Sequence, residues 1–130
     1  MNDSFLHMIA SREHNAALVT LYERPSSICY LEAEENVTHL FLENDTRYTI
    51  NATLNELELI LPSNRFFYCG ETYLVNVEKV FEYWISSDPI LVISCGHIIP
   101  VPYSQLFQVH SSIVSHSEGL SLKPKIVNRI

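Results

Sequence analysis

The chain has 130 residues, 47% hydrophobic and 18% charged, with eight basic residues against fifteen acidic ones and a net charge of −7. That length suits one domain with a single core, the composition excludes a disordered chain, and apolar runs such as Ile90 to Ile93 are far too short to cross a bilayer. The acidic balance repels nucleic acid and anionic membranes at long range, and it is uneven: residues 27–116 hold three basic residues (Arg47, Arg65, Lys79) against eleven acidic ones.

The first 26 residues read as a helix or a linker. Phe5, Met8 and Ile9 suggest a helical turn after a cap at Asp3, and Ala16 to Leu21 either continue it or form a strand. From Ser27 the pattern is mostly period two. ICYLEAEE places Ile28, Tyr30 and Glu32 on one face against Cys29 and Leu31, and VTHLFL alternates Val37, His39 and Phe41 against Thr38, Leu40 and Leu42. Glu43-Asn44-Asp45 then reads as a hairpin turn into RYTI, because Asn and Asp tolerate the φ values of tight turns. Thr53-Leu54-Asn55-Glu56 is a capping box, in which hydroxyl and carboxylate each take a free amide at a helix start. Leu54, Leu57, Ile60 and Leu61 supply the buried stripe of that helix, and Pro62 ends it.

Beyond Pro62 strands return: FFYC, TYLVNVEKVFEYW, PILVISC and HIIPV, with turns at Ser86 to Pro89 and Cys95-Gly96. Leu106, Val109, Ile113 and Val114 are spaced for a short amphipathic helix, and residues 117–130 read as a flexible polar tail. The expectation is a mainly β domain over residues 27–116, built from short antiparallel strands with one or two short helices. Tyr30, Leu54, Leu57, Leu61, Phe66, Val75, Val92, Val101 and Leu106 are its predicted core. No signal peptide opens the chain, so a cytoplasmic location is expected, the three cysteines are expected reduced, and the three glycosylation sequons are chance matches.

The order of these pieces resembles the LytTR-type DNA-binding domain of bacterial response regulators, over roughly Ser27 to Ser115. YLEAEENVTHLFLEN is followed by the capped helix TLNELELILP, then NRFF, then YLVN at Tyr73 to Asn76, and finally a loop G-h-x-x-P-V before a terminal helix. The resemblance implies antiparallel strands with little helix and duplex DNA, carrying direct repeats, read through loops by a dimer. Family members usually carry Arg, His and Ser or Asn between FF and Y-h-V-N, where this chain has Tyr68, Gly70, Glu71 and Thr72. They usually carry Ser and basic residues after the h-P-V, where this chain reads Pro102, Tyr103, Ser104 and Gln105. The framework is kept and both contact loops depart.

Arg and Lys bind phosphate through charge and reach guanine edges, whereas Gly and Ser do neither and Glu opposes both. The DNA site therefore reads as weakened. Tyr68, Thr72, Tyr103, Ser104 and Gln105 remain hydrogen-bonding candidates, with Arg65 and Lys79 close by in sequence. A basic patch assembled from Arg65, Lys79, Lys123, Lys125 and Arg129 would strengthen the DNA reading. The alternative is a divergent module that has given up DNA and binds another protein. Other chemistry is weaker. Cys69 reads as a half-buried cysteine, since Glu71 would raise its pKa. Cys95 and His97 lack the second ligand pair a zinc site needs. His39 reads as a surface or satisfied core residue, and the pairs Glu34-Glu35 and Glu56-Glu58 as solvated faces. No enzyme, cofactor or metal site is expected, and no membrane partner.

Overall fold

The computed structural model describes the backbone of residues 3–129 and the side chains of residues 12–129. The expected cap at Asp3 and the apolar side chains of Phe5, Met8 and Ile9 lie outside the described side chains. Helix α1 (Asp3–Glu23) settles the ambiguous start: residues 16–21 are helical, with Ala17 and Leu21 fully buried. It lies on strand β3, where Glu13 Oε1 accepts from the Thr49 amide at 2.9 Å. Among the described residues, no helix is long and apolar enough to cross a membrane.

Two sheets follow. The first has five strands, β1 (Ile28–Glu34), β2 (Val37–Leu42), β3 (Arg47–Ile50), β4 (Phe66–Cys69) and β5 (Tyr73–Asn76), in the spatial order β3-β2-β1-β5-β4 and antiparallel throughout. The second contains β6 (Val80–Ile85), β7 (Ile90–Ile93), β8 (Ile98–Pro100) and β9 (Lys125–Asn128), in the order β8-β7-β6-β9, with β9 parallel to β6. The turn between β2 and β3 takes Asn44 and Asp45 to φ 66 and 59, the conformation expected for that hairpin. Helix α2 (Leu54–Glu58) starts in the capping box: Glu56 N donates to Thr53 Oγ1 at 3.2 Å and Thr53 N to Glu56 Oε1 at 3.1 Å. Helix α3 (Leu106–His116) lies between β8 and β9 in the chain.

The five-stranded sheet is covered on both faces. One face, with Leu31, Leu40 and Leu74, packs under α1 and α2 against Leu21, Leu54 and Leu57. The other, with Tyr30, Phe67 and Val75, meets the second sheet and α3 through Tyr83, Leu91, Val109 and Ile113. Burial on both sides explains why β1 and β5 read as nearly continuous apolar runs.

Five expectations are corrected. Helix α2 ends at Glu58 and not at Pro62, because the Ile60 and Leu61 amides bond back three residues in turns; Leu61 is buried and Ile60 half-buried beyond the helix. Ile28 and Leu31 share one face while Cys29 and Tyr30 share the other. The pairing steps from Ile28↔Leu42 to Tyr30↔Phe41, so Cys29 is the extra residue of a β-bulge, which resets the alternation by one. TYLVNVEKVFEYW is two strands in different sheets, because Asn76 Oδ1 accepts from the Glu78 amide and caps a 3₁₀ turn at Val77–Lys79. The tail is not wholly loose, since β9 takes the free edge of β6 through backbone pairing that needs no apolar pattern. Seven of the nine predicted core residues are buried, but Val92 and Leu106 are only half-buried; in α3, Val109 and Ile113 carry the packing and Val114 faces out.

Candidate nucleic-acid interface

The β4–β5 hairpin turns through Gly70, Glu71 and Thr72, since Cys69 pairs with Tyr73. Gly70 supplies the left-handed conformation (φ 69) that side chains other than Gly and Asn resist. Thr72 O accepts from Ala33 N at 2.8 Å, which ties the turn to the end of β1. The segment after β8 arrives at the same place: a Cβ on Gly70 would stand 3.0 Å from Pro102 Cγ, and Cys69 Sγ donates to Pro100 O at 3.6 Å. The two loops singled out in the sequence, far apart in the chain, therefore form one surface. Glu71, Thr72, Tyr103 and Ser104 are exposed on it, and Gln105 is half-buried. Tyr68 stands on the opposite sheet face, where its hydroxyl donates to Asn55 Oδ1 of α2 at 2.8 Å. Burial and then Glu58 hold its pKa above the usual phenol value.

Arg65 and Lys79 do not join this surface. Arg65 precedes β4 and Gly70 follows it, which sets them about 17 Å apart at roughly 3.4 Å per residue, and Phe66 pairs with Asn76 at the far end. There Arg65 Nε contacts Glu78 Oε1 at 2.8 Å and its guanidinium donates to His116 O at 3.3 Å, while Lys79 Nζ pairs with Glu43. Arg47 pairs with Phe41, so it too lies at that end. All three basic residues of residues 27–116 are thus at one pole of the first sheet. The loop pole instead carries the β1–β2 hairpin tip, Glu34-Glu35-Asn36, all exposed, together with Glu32 beside Tyr73 and Glu71 in the loop itself. Sequence reasoning took Glu34-Glu35 as a solvated face. It is solvated, but its place next to the loop required the strand order β2-β1-β5, which composition does not carry.

The remaining candidates are structural. Cys69 is 1% exposed and burial pushes its thiol up to about 12, so it is buried more fully than expected and stays protonated at neutral pH. His39 is a satisfied core histidine: Nδ1 lies 2.8 Å from Thr49 Oγ1 and Nε2 3.2 Å from Glu34 Oε2. His97 Nδ1 bonds the Tyr30 hydroxyl at 2.8 Å inside an aromatic cluster with Phe41. Among the described residues, no group of three or more His, Cys, Asp or Glu could hold a metal ion.

The LytTr DNA-binding domain family matches residues 19–113. Among solved structures, the chain is similar to the LytTr DNA-binding domain of a response regulator from Bacillus cereus, at 27% identity and a TM-score of 0.61, covering 68% of this chain and 82% of that one. No curated protein sequence matches.

Proposed function

The chain belongs to the LytTR DNA-binding domain family, and on that premise we propose that it is a transcription-regulator domain that approaches duplex DNA with the joined surface of Gly70–Thr72 and Pro102–Gln105, with weakened affinity. The observation that carries this is where the cations of the first sheet stand: Arg47, Arg65 and Lys79 lie at the pole remote from the loops, among Glu43, Asp45 and Glu78, whereas the loop pole carries glutamates 32, 34, 35 and 71. With none of the three cations of residues 27–116 at the contact surface, little counterion release from them is available to drive binding. Thr72, Tyr103, Ser104 and Gln105 then supply neutral hydrogen bonds, which orient a duplex more than they hold it. Useful affinity comes from a second copy on repeated half-sites or from a partner, within the cytoplasm. This assigns the chain a binding role and no catalysis. The same acidic pole favours, as the second reading, a module that has given up DNA for a protein partner.

A fluorescence-polarisation titration on duplex DNA with LytTR-like direct repeats tests the reading. The native chain is expected to bind weakly at low salt, and the Glu71→Asn, Ser104→Arg double variant more tightly, because the variant removes an opposing charge and adds a phosphate ligand. Tight native binding would contradict the weakened site, and no binding by either form would leave the protein-partner reading.

A further inference from the structure

The chain has three lysines, Lys79, Lys123 and Lys125, and all three line one groove of about 250 Å³ at the start of β6. Phe81, 62% exposed, and Leu122, 88% exposed, line it as well. Lys79 is held by Glu43, whereas Lys123 and Lys125 are exposed. The groove lies beside Ser94 and the 3₁₀ turn of Val77–Lys79, at the ends of β5 and β7 remote from the loop surface.

We infer that this groove docks an acidic segment of a partner protein, with an apolar side chain of that segment set against Phe81 and Leu122 and its carboxylates on Lys123 and Lys125. Charge complementarity selects the sign of the partner, since concentrated positive charge on a chain of net −7 attracts acidic groups and fixes their register. The exposed aromatic and aliphatic pair supplies the anchor that short peptide segments need. A nucleic-acid backbone fits less well. The apolar walls of Phe81 and Leu122 have no role in phosphate binding, and with Glu78 in the groove and Glu43 on Lys79 there is a place for single carboxylates on Lys123 and Lys125 but not for a continuous row of phosphates. The inference is independent of how the loop surface treats DNA.

The test uses the full chain and a short fluorescein-labelled peptide of aspartates around a central Leu-Phe pair. Saturable binding is expected, weakened at least about tenfold by Lys123→Glu with Lys125→Glu, and weakened also by Phe81→Ser or by changing the peptide's Leu-Phe pair to Ser-Ser. Circular dichroism checks that the variants stay folded, and Phe81, being exposed, gives a variant that leaves the β6–β9 pairing untouched. Glu71→Asn in the loop surface should leave peptide binding unchanged. Failure to bind the peptide up to about 1 mM, or binding indifferent to the two lysines and Phe81, would overturn the proposal. So would loss of duplex-DNA affinity in the lysine variant with no peptide binding, which would assign the groove to phosphate. A concentration-dependent dimer abolished by the lysine variant, again without peptide binding, would assign it to a second copy.

Discussion

Gly70 and Pro102, thirty-two residues apart in sequence, approach so closely that a Cβ on the glycine would stand 3.0 Å from the proline ring. That contact makes a single surface of two loops from different sheets. Gly70→Ala should destabilise the fold by about 1–2 kcal/mol through its left-handed backbone alone, and by more through the clash. Pro102→Ala should relieve the second part, so urea titrations of the two single variants and the double should show less than additive losses. Strict additivity would mean that the two loops are not in contact.

The α2 cap and its buried stripe make separate contributions. Thr53→Ala should cost about 1 kcal/mol by freeing the helix-start amides. Leu57→Ala should cost about 2–5 kcal/mol, because Leu57 is 3% exposed between α2 and the first sheet. Chemical denaturation measures both, and equal losses would contradict the burial of Leu57.

Alkaline pH should destabilise the protein through its buried thiols. Burial raises Cys69 in the folded chain from 9.0 to about 12. Above pH 9 the unfolded thiol ionises while the folded one cannot, so stability present below pH 9 falls toward pH 12 at about 1.4 kcal/mol per unit. Denaturation midpoints measured across that window should fall, and less steeply in Cys69→Ala. An unchanged slope in the variant would place the alkaline loss elsewhere, for instance at Cys29, which burial and the nearby Cys95 also push up to about 12.

Arg65 and Lys79 should be bystanders to DNA. Neutralising them, as Arg65→Gln and Lys79→Gln, should leave DNA affinity within about twofold, since neither reaches a phosphate held at the loop surface. Their ion pairs are partly exposed, so the stability change should be at most about 1 kcal/mol each. A large loss of DNA affinity in either variant would move the interface to the other pole.

These features differ in how far they could be read from the chain. The capping box, the Asn44-Asp45 turn and the alternation of residues 37–42 were legible because each depends on local chemistry within a few residues. The bulge at Cys29 was not, since nothing in ICYL marks which residue is extra; the partner strand decides it. Strand β9 was hidden for a related reason, because KIVN pairs through backbone with a strand some forty residues earlier. The loops of the site were recognisable by resemblance, and their meeting was not. Arg65 and Lys79 misled because closeness in sequence along a strand becomes distance in space.

The most direct test of the account is the salt dependence of DNA binding by the native chain and by a Glu34→Gln, Glu35→Gln, Glu71→Gln variant. Each neutralised phosphate contributes about −0.9 to the slope of log affinity against log salt, so a loop surface without cations predicts a native slope shallower than about −2. Neutralising the three glutamates should raise affinity, most at low salt, and so make the slope somewhat more negative while it stays shallower than about −2. Native binding with a slope of about −5 or steeper, unaffected by the three substitutions, would contradict a weakened site at the acidic pole.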